Sequence, residues 1–232
     1  MPRANRHALT GHVWHITHRC HRQQFLLKFA RDRRLWRQWL FEARKRYGLC
    51  VLDFIVTSNH IHLLVQDRGR GEIAKSMQLI AGRSAQAYNQ RKQRRGAYWE
   101  DRYHATAVQV DTHLARCIAY IDLNMVRAGA VSHPREWEMC GYQEIQHPPA
   151  RYRVIDYPAL MNLLGISSFQ QLQLTHRHWV EDALKAEPAK RDERWSQSLA
   201  IGSYEFVSQF QADLGATAIH RDIEEHGNSH AL

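Results

Sequence analysis

Residues 50–66 constrain the fold of this chain more than any other segment: CVLDFIV, then TSN, then HIHLLVQ. Two short runs of β-branched and aliphatic residues flank a polar turn, which is the pattern of a β-hairpin. Arms this apolar need helices packed against them, and the neighbouring segments offer two. From Arg31 to Tyr47 the residues Leu35, Trp36, Trp39, Leu40 and Ala43 recur at helical spacing, and Gly48 supplies a stop. From Gly71 to about Gln90 the stripe is Ile73, Met77, Ile80, Ala81, Ala85 and Tyr88. Outside these lie two further strands, 12–19 (HVWHITHR) and 105–110 (ATAVQV). In the first, Val13, His15 and Thr17 share one face, and Trp14, Ile16 and His18 the other. Asp111 or Thr112 caps a last helix that reaches about Arg127, before Gly129. The order β-α-β-β-α-β-α begins as a split βαβ unit. The expected class is therefore α+β: a ferredoxin-like antiparallel sheet with helices on one face, the other face left open for a ligand.

After His133-Pro134 the composition changes, and Pro148-Pro149 marks a turn. Three helical stretches follow, Tyr157–Leu164, Ser168–Lys185 and Ser203–Leu214, ahead of a polar end expected to fray. The expected division is a main domain over 1–147 and a small, all-helical C-terminal part over 148–232.

Charge divides the chain at nearly the same place. The formal +9 is made of 24 Lys+Arg against 9 Asp+Glu in residues 1–135, and 8 against 14 in residues 136–232. A first segment at +15 suggests a polyanion partner, most often nucleic acid, although a solvated basic surface has the same composition. No apolar run approaches the ~18 residues of a membrane helix. The opening MPRANRHALTGHVWHI holds no uninterrupted apolar stretch of the kind a secretory signal needs. Cys20, Cys50, Cys117 and Cys140 are widely spaced without a C-x-x-C, which fits reduced thiols and a cytoplasmic protein.

His60 and His62 fall in the second arm of the hairpin. Strand side chains alternate, so both imidazoles project from one face while Ile61, Leu63 and Val65 project from the other. Two histidines on one strand face can hold a metal ion, but an H-x-H alone is a weak signal. A second, His176-Arg177-His178, falls on a helix where i,i+2 side chains diverge, and reads as surface. The helix over 112–127 buries Leu114, Ile118, Ile121 and Met125. Tyr120 and Asn124 lie one turn apart on a different face, with Arg116 and Arg127 in line. A tyrosine so placed is either at the edge of the core or set to meet a phosphate.

The strings TSNHIHLLV, WEDRYH and YIDLNMVRAG, in this order and spacing, closely resemble the HUH single-tyrosine transposases, above all their REP-associated branch. The resemblance covers about residues 10–145. It implies an HUH-type catalytic domain in which Tyr120 is the nucleophile and His60, His62 and Asn124 bind a metal. One departure is Met125, where many relatives have proline. Neutral imidazoles and an amide would leave the full charge of a divalent ion available to a phosphate oxygen. Mg²⁺ or Mn²⁺ suits that role, with Zn²⁺ the runner-up. Phenol titrates at about 10, so Arg116 and Arg127 would favour the phenolate. The implied reaction displaces a 3′-hydroxyl from a DNA phosphodiester and leaves a 5′-phosphotyrosine link. The implied substrate is single-stranded DNA beside a REP-like hairpin, handled by a monomer or a homodimer, with the C-terminal part as an accessory.

Arg91, Lys92, Arg94 and Arg95 precede Tyr98, Trp99 and Tyr103, and cations interleaved with aromatics are the composition of a single-strand groove. Tyr98 reads as core; Arg94, Arg95, Trp99, Arg102 and Tyr103 read as DNA-binding, with Arg19, Arg22, Lys75 and Arg83 adding phosphate contacts. His12, His15, His18 and His21 recur every third residue, which a strand cannot gather onto one face, so they read as structural or DNA-facing. Two rivals stand beside the transposase reading: a rolling-circle-type nickase with the same chemistry, and a domesticated nucleic-acid-binding regulator with a vestigial site.

Overall fold

The computed structural model describes residues 9–186, 192–215, 218, 221–226 and 229–232. β1 (Val13–Arg19), α1 (Ala30–Tyr47), β2 (Cys50–Val56), β3 (His60–Gln66), α2 (Glu72–Arg91), β4 (His104–Val108) and α3 (Thr112–Asp122) follow in the expected order. Local signals set their ends. Gly48 takes the left-handed conformation (φ +70°) that stops α1, and Asp111 accepts the His113 N–H at 2.7 Å to start α3. The last helix does not run unbroken to Arg127: Leu123, with ψ 3°, separates α3 from a short α4 (Asn124–Arg127). The chain continues through α5 (Gly141–Gln146), α6 (Tyr157–Leu163), α7 (Phe169–Lys185), α8 (Arg194–Gln197), β5 (Ala200–Gly202), α9 (Tyr204–Leu214), β6 (Glu224–His226) and β7 (Ser229–Ala231).

Among the described residues the strands form one sheet in the order β2-β3-β1-β4-β5-β7-β6. β1 sits between β3 and β4 and is antiparallel to both. The C-terminal part is therefore not all-helical, as its sequence suggested. Its three expected helices are present as α6, α7 and α9, but β5 adds itself parallel to β4, and β7 and β6 extend the edge. β4 would otherwise leave a row of unpaired backbone groups; Ala107 N–H donates to Leu199 O at 2.7 Å and Gln109 N–H to Ile201 O at 3.0 Å. Three-residue strands are too short for a period-2 pattern to register.

The second face of the sheet is not open either. α1 and α2 pack together over the face of Trp14, Ile16, Ile61, Leu63 and Val65, all buried. α3 and α5 both pack on the opposite face, with α7 behind them. That face carries Ile55 and Leu64, fully buried, and Asp53, and apolar residues on both faces demand cover on both. Gly141 of α5 sits so close that a Cβ there would lie 1.7 Å from Asp53 Oδ1, so no side chain fits. His176, expected at the surface, is buried on α7, where its Nε2 lies 2.7 Å from Asp122 Oδ2 of α3; only His178 of that pair is exposed. The reason is helix-on-helix packing, which points one of two i,i+2 residues inward. Among the described residues no helix is long and apolar enough to cross a membrane.

Candidate active site

The turn between β2 and β3 orients the first imidazole. The Thr57 hydroxyl donates to His60 O at 2.7 Å and accepts the His60 N–H at 3.0 Å. Asn59 Oδ1 lies 2.7 Å from His60 Nδ1. An amide oxygen only accepts, so Nδ1 carries the proton and Nε2 the lone pair. The second imidazole is held from both sides. His62 Nε2 lies 2.9 Å from the Asn124 Nδ2, and His62 Nδ1 lies 2.8 Å from His15 Nε2. With the amide donating to Nε2, the His62 proton is on Nδ1 and points to His15. Both histidines thus present Nε2 as the basic atom, the arrangement usual for ligating histidines whose other nitrogen is occupied.

Burial, then the neighbouring His15 and His60 and the cations Arg127 and Arg19, hold the His62 pKa well below its ordinary value. The ring is therefore neutral, as a metal ligand must be. Among the described residues no three or more His, Cys, Asp or Glu side chains converge as a cage. What converges is two imidazoles and an amide. Atoms bound side by side on an octahedral ion with bonds of about 2.1 Å lie roughly 3 Å apart. The 2.9 Å between Asn124 and His62 Nε2 matches that spacing, and a half-turn of the amide exchanges its nitrogen for its oxygen. The donor set fits a hard divalent ion that keeps water on its other positions.

Tyr120 comes to the same place from α3. Its ring centroid is 5.8 Å from that of His62, at 89°, and 6.1 Å from that of His15. The Arg127 guanidinium stands over the Tyr120 ring at 4.1 Å and also donates to the Tyr120 carbonyl. On the other side Trp195 of α8 packs at 5.8 Å from Tyr120 and 6.3 Å from His15. The face therefore brings together His60, His62, Tyr120, Asn124 and Arg127, with Arg19 paired opposite His60 across β1 and β3. Arg116 is exposed on α3 and shows no comparable stacking on Tyr120.

The remaining cations and aromatics divide. Arg22, Arg95 and Arg102 are exposed. Arg94 donates to Ala97 O at 2.9 Å and to Asn89 Oδ1 at 3.2 Å, bracing its own loop. Lys75 and Arg83 lie on α2, on the far side of the sheet from the histidines, and Arg83 covers the Trp39 ring at 5.6 Å. Trp99 stacks on His18 at 4.2 Å and donates to Ala81 O at 3.0 Å; Tyr103 meets His18 edge-on at 6.4 Å. Tyr98 is core, as read.

Two residues at the site escape a reading of the sequence. His15 hides in the every-third spacing of four histidines. Period-2 alternation does put it on the Thr17 face, and Thr17 lies opposite His62 in the sheet. Trp195 gives no signal at all.

Burial also makes the fold sensitive to acid. It pushes the pKa of His15 down to about 3 and that of His18 to about 4, and lowers those of His62 and His104. As pH falls below about 6.5 the unfolded chain takes up these protons and the folded chain does not. Stability is thus full above that pH and declines toward pH 3, by up to about 1.4 kcal/mol per pH unit for each histidine. Asp53, raised by burial and by Asp122, works in the opposite sense and offsets at most one of them. Urea midpoints measured at pH 7.5, 6 and 5 should fall steadily; a flat series would mean the imidazoles are not buried as neutral rings.

Comparison with known proteins adds two findings. The family model described as "Transposase IS200 like" matches residues 8–124. A solved structure titled "Structure of the REP associates tyrosine transposase bound to a REP hairpin" superposes with a TM-score of 0.54 at 16% identity, covering 67% of this chain and 94% of that one. At that identity the likeness concerns the fold. No curated protein matches the sequence.

Proposed function

Since the chain belongs to the IS200-like transposase family, we propose that it cuts and rejoins single-stranded DNA beside a REP-like hairpin, through a covalent bond to Tyr120. The observation that carries this reading is the convergence of two chain segments about sixty residues apart. The strand bearing His60 and His62 meets the consecutive helices α3 and α4, which bear Tyr120 and Asn124, with the amide 2.9 Å from an imidazole nitrogen. An HUH-type domain needs that meeting, and a vestigial binding module has no use for it. The hairpin part of the reading draws on the resemblance of the motifs to REP-associated transposases, and on the REP hairpin held by the protein of similar fold.

In the proposed step the Tyr120 oxygen attacks the phosphorus of a DNA phosphodiester. A bond forms from that oxygen to phosphorus and the P–O3′ bond breaks. The phenol proton ends on the departing 3′-oxygen, and the 5′-phosphate stays on the tyrosine. The link conserves the energy of the bond it replaced, so a 3′-hydroxyl of another strand can reverse the step and join. Arg127, over the ring, favours the phenolate by its charge. Arg19, at the rim opposite His60, is placed to hold a flanking phosphate. His60, His62 and Asn124 would hold Mg²⁺ or Mn²⁺, which when bound would polarise a non-bridging oxygen of the scissile phosphate.

Covalent capture tests the reading. An end-labelled oligonucleotide with a hairpin and an unpaired flank, incubated with the protein and Mn²⁺, should give a detergent-resistant adduct. Tight binding with neither cleavage nor adduct under any divalent ion would instead leave the regulator.

A further inference from the structure

The segment between β1 and α1 is strained, hydrogen-bonded to its neighbours and apolar at its surface. Arg22 and Gln23 both have positive φ, 51° and 56°, a conformation side-chain-bearing residues rarely adopt and one that tends to gather at functional sites. The segment is tied to the turn that orients His60. Cys20 N–H donates to Asn59 O at 2.7 Å, Leu27 N–H to Ser58 O at 2.9 Å, and Asn59 Nδ2 to Gln23 O at 3.1 Å. Asn59 thus holds this loop with its nitrogen and His60 with its oxygen. On this braced backbone Phe25 is 65% exposed and Phe29 55% exposed.

Cations lie on the same segment and on the basic loop fastened to it. Lys92 stands 5.7 Å from the Phe29 ring, and Arg94 donates to Gln24 Oε1 at 3.5 Å, fastening the basic loop to this one. Residues 20–30 and 90–98 contain no acidic residue. Asp32, just beyond, is buried and paired with Arg91. Arg22, Lys28, Lys92 and Arg95, all on these two segments, are exposed.

We propose that Phe25 and Phe29 are a stacking platform for unpaired bases of the DNA strand that flanks the cleavage point. The proposal rests on the DNA strand-transfer reading above and deepens it by locating where the strand is gripped. Exposed rings on a braced backbone, with exposed cations on the same and the adjoining segment, match the two needs of a single strand, a π surface for bases and positive charge for phosphates. A second copy of the same patch would bring like charges together, and protein interface cores are depleted in lysine. The role expected of Trp99 thereby passes to Phe25 and Phe29, because Trp99 already spends one ring face on His18.

The test is the affinity of the full chain for a fluorescent REP-type hairpin carrying an unpaired flank, against the same hairpin blunt-ended. Phe25→Ala and Phe29→Ala should each weaken binding of the flanked hairpin by roughly 5- to 150-fold, with the salt dependence unchanged. Binding of the blunt hairpin should move little, and Phe25→Trp should restore or tighten the flanked complex. A flank carrying 5-iododeoxyuridine should photocrosslink to the 25–29 segment. Both rings are at the surface, so melting temperatures should stay put, and Phe25→Trp supplies a readout independent of any loss of folding. If the alanine variants bind the flanked hairpin as tightly as the wild type does, the platform is wrong and strand transfer stands. If the wild type binds no flanked hairpin, both readings fall. If sedimentation shows a dimer that Phe25→Ala dissolves, the patch is an interface between copies and the proposal is overturned.

Discussion

Tyr120→Phe protein is expected to form no covalent adduct with hairpin-bearing single strands and to lose cleavage by at least about a thousand-fold. The substitution removes one oxygen and leaves the ring. Packing against Trp195 at 5.8 Å and under Arg127 at 4.1 Å is therefore kept, and the fold should melt within a few degrees of the wild type. DNA binding should change little, because phosphate contacts elsewhere supply most of the affinity. The loss would then lie in the chemical step alone. Denaturing gels of labelled strands, with the adduct peptide identified by mass spectrometry, give the measurement. An undiminished adduct in the phenylalanine variant would remove Tyr120 from the mechanism and, with it, the proposed function.

The second large effect concerns the metal. His60→Ala combined with His62→Gln should abolish Mn²⁺ binding in calorimetry and reduce cleavage about a thousand-fold or more, while hairpin affinity stays within a small factor. Glutamine is chosen at position 62 because His62 is 3% exposed and bonded on both sides. An alanine there would leave a cavity and strand the His15 nitrogen, costing stability for reasons unrelated to metal. His60 is half-buried at the rim and tolerates truncation better. Excess EDTA should have the same effect on the wild type, restored by Mg²⁺ or Mn²⁺. Cleavage at full rate in EDTA would sink the metal-dependent reading.

Much of this protein is legible in its sequence because the relevant forces act over a few residues. Alternation in HIHLLVQ separates His60 and His62 from Ile61 and Leu63, and the sheet keeps that division. Gly48 ends α1 and Asp111 starts α3, since left-handed backbone and an orphan N–H are local needs. The stripe Leu114, Ile118, Ile121 and Met125 puts Tyr120 and Asn124 on another side, and although Leu123 breaks the expected helix between them, they do arrive together at His62. What the sequence does not contain is register and partnership. That His15 lies diagonal to His62, that Trp195 closes over Tyr120, and that α3 crosses the sheet face expected to be open all depend on which strands sit side by side. So does the reassignment of Trp99, whose partner His18 is distant in the chain. Periodicity assigns a side chain to a face, because backbone geometry repeats every two or every 3.6 residues. What that face meets is decided by the packing of the whole chain, where burial of apolar surface and the pairing of backbone groups are satisfied jointly and no short window carries the answer.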